Sequence, residues 1–153
     1  MSNDWKNIWG KKYLTNAPSY IMDGFDNLSI SQWEHLVDVF CSLIQIDENS
    51  DILDIGCGSG AFLEQIKKFN SLSGIDYSEN AISVIKNNLE GRFQVAEAKN
   101  IPFEDNLFNT VICFSVFFYF NSKSYAIQTI KEMLRVCKPG GQIFIGDVND
   151  SSR

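Results

Sequence analysis

The 153-residue sequence lacks any apolar run long enough to cross a membrane. Its longest run, Val111 to Phe120, has about ten residues, whereas a membrane-spanning helix needs about 20. Residues 1–6 have neither the basic start nor the apolar block of a secretory signal. We therefore expect no membrane association and a cytoplasmic location.

Histidine is nearly absent, and the cysteines show no metal-binding spacing. The chain has one histidine, His35, and its four cysteines form no C-x-x-C pair: Cys41, Cys57, Cys113 and Cys137. Zinc sites are usually built from clusters of these two residue types. We expect no metal site, reduced thiols that pack as small apolar groups, and a histidine that lies on a helix.

Basic residues are also scarce. Thirteen Lys and Arg residues stand against 19 Asp and Glu residues, which gives a formal net charge of −6. Binding to nucleic acids and anionic membranes depends mainly on basic side chains that neutralise phosphates. The charge therefore favours a small-molecule ligand, although a nucleic acid held by a local basic patch stays open.

What is present is one domain with an alternating pattern of apolar segments. Residues 1–29 are rich in aromatic and turn residues and predict a short helix and loop; residues 30–44 predict a helix capped by Ser29 or Ser31. Strands are predicted at 51–55, 72–75, 92–95, 110–116 and 142–147, with helices at 61–69, 78–89 and 123–137. Gly91 is expected to end the helix at 78–89, and Ala126, Ile127, Ile130, Met133, Leu134 and Cys137 share one face of the last helix. Apolar strands that alternate with helices indicate a doubly wound α/β fold with a parallel sheet.

A glycine-rich turn follows the first predicted strand. In such sheets, ligands bind beyond the carboxyl ends of the strands, and here Gly56, Gly58 and Gly60 allow a sharp turn and a close approach to the backbone. The helix predicted next would offer its unpaired N–H groups to a polar ligand. Asp76 comes 20 residues after Gly56, where a carboxylate can bind the ribose hydroxyls of NAD or of S-adenosylmethionine.

Two further features distinguish these two ligands. Asp54 lies within the end of the strand before the turn, where it would repel a pyrophosphate and attract an ammonium group. Glu97 and Ala98 follow the third strand, where an acceptor and a backbone N–H can read the edge of an adenine. Both features favour S-adenosylmethionine over NAD.

Four segments in this order resemble the class I S-adenosylmethionine-dependent methyltransferase family: ILDIGCGSG, GIDYS, AEAKNIPFEDNLFNTVI and LRVCKPGG, all between about residues 51 and 147. The resemblance implies a Rossmann-like sheet of order 3-2-1-4-5 and methyl transfer to a small metabolite, sugar or lipid precursor, with S-adenosylhomocysteine as product. It implies a methionine end held by Asp54, Gly56, Cys57, Gly58 and Gly60, with Phe114 and Ser115 beneath it. It further implies Asp76 on the ribose and Tyr77, Glu97 and Ala98 around the adenine. Trp5, Trp9 and Tyr13 would form an N-terminal lid, as in similar enzymes, or pack onto the sheet.

The sequence departs from the family pattern at several places. Asn109 replaces the usual Asp before the fourth strand, and we expect its amide still to hydrogen-bond the turn. Phe118 and Tyr119 stand where relatives carry a His-containing pair, so no catalytic base can be assigned. The sheet is truncated relative to the seven-stranded family fold, and its fifth strand would form an exposed apolar edge. We therefore expect either a fragment of a longer enzyme or a homodimer through that edge.

Two alternatives remain open from the sequence. An NAD-dependent oxidoreductase would use Gly56 and Asp76 but leaves Asp54 and Glu97 unexplained. A non-catalytic module that binds S-adenosylmethionine would keep the adenosine site and lack an acceptor pocket. We divide the chain into an N-terminal helix and lid segment, residues 1–29, and a cofactor-binding domain, residues 30–153.

Overall fold

The computed structural model describes residues 8–9 and 11–148, and its centre is a five-stranded parallel sheet. The spatial order of the strands is β3-β2-β1-β4-β5, as the resemblance implies. The strands are β1 (Asp51–Ile55), β2 (Ser71–Asp76), β3 (Arg92–Val95), β4 (Phe108–Phe114) and β5 (Cys137–Gly146). The predicted α/β fold class and strand order are therefore confirmed.

Helices cover both faces of this sheet. They are α1 (Ser19–Met22), α2 (Ile30–Leu43), α3 (Glu79–Asn88) and α4 (Lys123–Val136). Because side chains alternate along a strand, Ile52 of β1 packs in one apolar cluster with α2 and α3, while Leu53 packs in another with α4. Asp54 shares the side of Ile52, which directs this carboxyl toward the α2 and α3 layer.

Three of the four helices, α2, α3 and α4, begin where a serine side chain satisfies a free N–H group. Ser29 caps α2 and forms a reciprocal capping box with Gln32, while Ser78 accepts a hydrogen bond from the backbone N–H of Ala81 at the start of α3. Ser122 does the same for α4. No helix in residues 8–9 and 11–148 is both long enough and apolar enough to cross a bilayer.

The predicted helix at residues 61–69 is wrong. Only a 3-10 turn forms there, at Leu63–Gln65, and Ile66 adopts extended dihedral angles with its side chain buried in the core. Gly91 likewise does not end α3, which stops at Asn88 with Leu89 in an extended conformation. The absence of a side chain at Gly91 instead permits close packing, since a Cβ there would lie 2.7 Å from the carbonyl oxygen of Leu72.

The predicted apolar face of the last helix is right only for Met133 and Cys137, which are buried. Ile127, Ile130 and Leu134 are exposed, and the buried face of α4 consists of Tyr125, Thr129, Met133 and Val136. These four residues recur at helical spacing, so periodicity alone allowed two adjacent faces. The buried face includes two polar side chains, Tyr125 and Thr129. Tyr125 also lines the site described below.

β4 and β5 differ from their predicted bounds. β4 begins two residues earlier than expected and ends at Phe114, because Ser115 takes a positive φ of 57° that strands do not accommodate. β5 begins at Cys137, directly after α4, so the Pro-Gly-Gly segment lies within its range. On its other side β5 has no neighbouring strand in the described sheet, and Ile143, Phe144 and Ile145 are half-buried.

Polar side chains fix two connecting segments, the turn before β1 and the loop before β4. As expected, the Asn109 amide bonds the turn before β1, because its Oδ1 accepts from Asp51 N at 2.8 Å and its Nδ2 donates to Asn49 O at 3.0 Å. Arg135 of α4 donates to the carbonyl oxygens of Ile101 and Phe103 at 2.9 and 2.8 Å. These contacts fix the segment that links the Glu97 turn to β4.

Candidate binding site at the carboxyl ends of the strands

A cavity lies at the carboxyl ends of β1, β2 and β4, the place where parallel α/β sheets bind their ligands. The N-terminal segment forms its outer wall. The described lining includes three acids and no lysine, arginine or histidine; His35 is exposed elsewhere. Aromatic residues form most of the remaining wall: Trp9, Tyr13, Phe25, Trp33, Phe62, Tyr77, Phe114 and Tyr119.

The glycine turn forms the floor of this cavity. Gly56 and Gly58 take positive φ angles of 76° and 54°, which a side chain would strain. The backbone N–H groups of Gly56 and Cys57 both donate to Ile75 O, at 2.7 and 3.0 Å, and this fixes the turn against β2. A Cβ on Gly56 would collide with Val116, so the turn and the segment after β4 are in close contact.

Gly60 does not line the cavity, unlike the other two glycines. Its φ is +97°, and a Cβ there would lie 2.8 Å from Ile85 Cγ1 and 3.2 Å from Leu89 Cδ1. The absence of a side chain at Gly60 therefore lets α3 pack against the turn. The structure thus gives Gly60 a packing role, and the ligand contact that the resemblance implies for Gly60 stays a prediction.

Asp23, which the sequence analysis did not identify, binds the glycine turn. Its Oδ1 accepts from the backbone N–H of Ser59 at 2.7 Å and from Ser59 Oγ at 2.9 Å, while its Oδ2 accepts from Ala61 N at 3.1 Å. The Ala61 N–H is one that the predicted helix at 61–69 would have offered to a ligand. The carboxyl of Asp23 accepts from it instead and ties α1 to the turn.

Asp76 also bonds the turn. Its Oδ2 accepts from Gly58 N at 3.2 Å and its Oδ1 from Ser78 N at 2.8 Å, and the residue is 7% exposed. Burial raises the pKa of Asp76 to about 6, although these backbone N–H groups act in the opposite direction. Burial likewise raises the pKa of Asp23 to about 7, opposed by its bonds to Ser59 and Ala61.

Asp54 is the acid without a hydrogen bond. It is 4% exposed and lines the cavity, but no donor among the described residues reaches its carboxyl oxygens. Burial, with the nearby charges of Asp23 and Asp76, raises the pKa of Asp54 to about 8. An isolated buried carboxylate is costly, so the structure favours the protonated form of Asp54 until a cation or donor enters the cavity.

A second lobe adjoins the cavity and shares Gly56, Asp76, Tyr77 and Val116 with it. Its other walls are Ile75, Ala96, Glu97, Ala98, Phe120 and Tyr125. The Tyr125 hydroxyl donates to Glu97 Oε2 at 2.6 Å. Tyr125 was not among the predicted site residues, because its helical position gives no sign that it meets a residue 28 positions earlier.

The segment after β4 and the N-terminal segment complete the outer wall. Phe114 packs between Phe25 and Phe40, at centroid distances of 6.0 and 4.3 Å, and Ser115 Oγ donates to the Asp147 carboxylate. Trp9 stacks on Tyr13 at 6.5 Å and meets Tyr119 edge-on at 5.8 Å. Trp9 and Tyr13 thus lie where a lid was expected, while Trp5 and residues 149–153 lie outside the described part of the chain.

The structure therefore brings all the predicted site residues except Gly60 to one of two adjoining lobes. Three features lie together near the point where strand order reverses: the glycine turn, the acid at the end of β2 and the acid after β3. The family described as "Methyltransferase domain" matches residues 53–145, which include all three. The chain belongs to the class I S-adenosylmethionine-dependent methyltransferase family.

Relatives in this methyltransferase family act on different acceptors, according to their names. The human protein named "Probable tRNA methyltransferase 9B" is 30% identical over 135 residues, which are 88% of this chain and 29% of that protein. Demethylmenaquinone methyltransferase of Bacillus licheniformis is 28% identical over 124 residues, 76% of this chain and 52% of that protein. The tRNA methyltransferase 9B relatives from mouse, human and cattle are matched over only 21%, 29% and 20% of their length.

Solved structures show the same fold. The PH0226 protein of Pyrococcus horikoshii superposes with a TM-score of 0.69 at 24% identity, and the match covers 95% of this chain and 66% of that protein. At this level of identity the similarity supports the arrangement of strands and helices. It does not identify a substrate.

Proposed function

We propose that this methyltransferase-family chain binds S-adenosylmethionine and transfers the methyl group to a small, uncharged or cationic acceptor. The observation that carries the proposal is the buried Asp54 carboxyl, which lacks a donor, in a cavity that also contains Asp23 and Asp76. No basic side chain lies in the described lining of that cavity. Such a cavity favours a ligand that brings positive charge.

S-adenosylmethionine fits this requirement better than NAD. Its sulfonium and ammonium groups outnumber its single carboxylate, so the ligand is a net cation, whereas NAD would bring a pyrophosphate close to three carboxyl groups. The phosphates of a dinucleotide need N–H donors at the turn, yet the Ser59 and Ala61 N–H groups already donate to Asp23. The charge of the cavity and the family membership together argue against the oxidoreductase alternative.

The cavity residues divide between the two ends of the cofactor. Asp54, Cys57 and the turn at Gly56 and Gly58 would hold the methionine end, with Phe114 and Ser115 beneath it. Asp76 would accept from the ribose hydroxyls. Tyr77, Glu97 and Ala98 would surround the adenine in the second lobe.

The bound cofactor supplies an activated methyl group on a sulfonium. This chain's residues then have to align the acceptor and to exclude water. The aromatic wall of Trp9, Tyr13, Phe25 and Tyr119 provides the water-excluding surface. Burial raises the pKa of the Tyr13 and Tyr119 hydroxyls, which keeps them protonated at neutral pH and makes them poor bases.

The acceptor is proposed from the charge of the cavity. A phosphate or carboxylate on the acceptor would lie near Asp23, Asp54 and Asp76 without a basic partner. A tRNA acceptor, which the names of some relatives suggest, would need basic contacts to its phosphates, while the chain as a whole carries a net charge of −6. A neutral or amine-bearing small molecule fits these conditions.

We further propose a cellular location, a lid and a dimer interface. The chain is cytoplasmic, residues 1–29 act as a lid on a domain of residues 30–153, and a second copy pairs with the free edge of β5. The dimer is argued from the lack of a described partner for β5 and the apolar character of Ile143, Phe144 and Ile145. Light scattering at high protein concentration should give the mass of a dimer, and a monomer would refute this interface.

Calorimetric titration tests the cofactor. We expect wild-type protein to bind S-adenosylmethionine and S-adenosylhomocysteine with micromolar affinity and to show no binding of NAD. Asp76→Ala should weaken both adenosyl ligands by about tenfold or more, because the ribose loses a charged acceptor. Asp26→Asn, which changes an exposed acid of the N-terminal segment, is the matched control and should bind like wild type. Tight NAD binding would contradict the proposal.

A turnover assay separates the enzyme from a non-catalytic binding module. The protein is incubated with S-adenosylmethionine and panels of neutral, amine-bearing and phosphorylated small molecules, and S-adenosylhomocysteine formation is measured. We expect product with a neutral or amine-bearing acceptor. Binding of the cofactor without turnover on any acceptor would favour the module, and turnover confined to phosphorylated acceptors or tRNA would contradict the proposed acceptor class.

A further inference from the structure

The carboxyl of Asp23 lies against the glycine turn where three donors converge. They are Ser59 N at 2.7 Å, Ser59 Oγ at 2.9 Å and Ala61 N at 3.1 Å, and we call this group of donors the anion position of the turn. Backbone N–H groups that point at one place in a turn form a typical binding position for a carboxylate or a phosphate. Here a side chain of the protein itself occupies that position.

Gly58 makes room for this carboxyl. A Cβ on Gly58 would lie only 2.4 Å from Asp23 Oδ1, so the missing side chain admits Asp23 to the turn. Asp23 also lines the cavity, which places its carboxyl between the turn and the space for a ligand. The α1 helix holds it there, because Asp23 N donates to Ser19 O at 2.8 Å and Ser19 Oγ donates to Glu64 Oε1 at 2.7 Å, just beyond the turn.

Every backbone N–H of the turn, from residue 56 to residue 61, already has an acceptor within the protein. The acceptors are Ile75 O for Gly56 and Cys57, Asp76 Oδ2 for Gly58, Asp23 for Ser59 and Ala61, and Cys57 O for Gly60. The described lining of the cavity contains no basic side chain that could replace these donors. An anionic group of a ligand could therefore bind at the turn only in place of the Asp23 carboxyl.

We propose that Asp23 is a specificity-determining residue: by filling the anion position of the turn, it prevents the carboxylate of an adenosyl ligand from binding there. The inference rests on the proposed S-adenosylmethionine cofactor. The acids of the cavity still attract the ligand's ammonium group, whereas its carboxylate finds no donor at the turn. A ligand that keeps the amine and lacks the carboxylate should therefore bind as tightly as the complete one.

The test measures the affinity ratio of two ligands that differ only by this carboxylate. The probes are S-adenosylhomocysteine and decarboxylated S-adenosylhomocysteine, titrated by calorimetry at about pH 7, where the amino groups of both are mainly protonated. Wild type should bind the two with Kd values within about threefold of each other, because the carboxylate gains no hydrogen bond. Asp23→Ala vacates the anion position and should prefer the complete ligand by about tenfold or more, as expected for hydrogen bonds to a charged group.

Asp23→Asn separates the occupied position from the charge. The amide removes the negative charge, and its oxygen can still accept from Ser59 N. The preference for the complete ligand should therefore be larger in Asp23→Ala than in Asp23→Asn, by about fivefold or more. Asp26→Asn, which changes an exposed acid of the same segment, should keep the wild-type ratio. A ratio of affinities does not depend on the fraction of folded protein, so a loss of stability would not imitate these results.

Three results would overturn the inference while leaving the cofactor proposal intact. They are a wild-type preference for the complete ligand of more than about tenfold, an unchanged ratio in Asp23→Ala, and equal ratios in Asp23→Ala and Asp23→Asn. The first of these needs no variant, so the inference stays testable if Asp23→Ala folds poorly. Binding of neither probe by wild type would overturn the cofactor proposal and this inference with it.

Discussion

The raised pKa of Asp54 predicts that cofactor binding is linked to proton release. In the absence of ligand its pKa is about 8, so at neutral pH and below the carboxyl is mostly protonated. A sulfonium or ammonium group in the cavity favours the carboxylate, which lowers this pKa. Binding well below pH 8 should therefore release about one proton from Asp54, and the affinity for S-adenosylmethionine should rise with pH.

The size of the effect follows from the pKa. If only Asp54 ionises on binding, the association constant rises by ~30-fold between about pH 5.5 and about pH 7, close to a factor of ten per pH unit. Ionisation of Asp23, whose pKa is about 7, would make the dependence steeper. The comparison ends near pH 7 because the α-amino group of the ligand titrates close to pH 8.

Calorimetry in two buffers with different ionisation enthalpies counts the protons directly. We expect release of about one proton or more at pH 6. Asp54→Asn should lose most of this release and bind more weakly, because an amide cannot balance a cationic ligand. Asp26→Asn should behave like wild type. A pH-independent affinity with no proton release would refute the assignment of Asp54 as the buried partner of a cation.

Three other predictions concern stability. The pKa of Asp54 in the folded protein, about 8, lies above its unfolded value near 3.8, so protonation of this carboxyl favours folding at low pH and the stability is lost as pH rises through about 8. Asp54→Asn should therefore raise the Tm of the ligand-free protein near pH 8. An unchanged or lower Tm would contradict the pKa shift. Gly60→Ala should lower the free energy of unfolding by about 1–3 kcal/mol, because it strains a positive φ and crowds Ile85. The Kd of the folded variant for S-adenosylhomocysteine should stay within about threefold of wild type. A selective loss of binding would instead make Gly60 a ligand residue. Arg135→Met should lower the free energy of unfolding in urea by about 1–3 kcal/mol, since the carbonyl oxygens of Ile101 and Phe103 lose their donor. Lys131→Met, on the exposed side of α4, is the control. Equal stability of the two variants would refute this role of Arg135.

The strands were predictable because their signal is local. β1, β2 and β3 each form short apolar segments between turn residues, and the structure places them within one residue of the predicted bounds. β4 was displaced because Ser115 takes a positive φ, a property that depends on its contacts and not on its residue type. The strand order came from the resemblance to a family, since alternation alone does not fix it.

The failed helix prediction and the missed site residues share a physical cause. Residues 61–69 have helical spacing, but Asp23, 38 residues away from Ala61, takes the N–H groups at their start, and Ile66 turns into the core. Tyr125 meets Glu97 in the same way, through a contact that no local pattern encodes. A side chain whose role depends on a distant partner becomes recognisable only when the fold has brought the two together.

A crystal structure with S-adenosylhomocysteine tests the central claim most directly. We expect the ligand's ammonium group within hydrogen-bonding distance of Asp54, its ribose hydroxyls in contact with Asp76, and its adenine in the lobe of Glu97 and Tyr125. A ligand in the reverse orientation, or one bound outside the two lobes, would contradict the account.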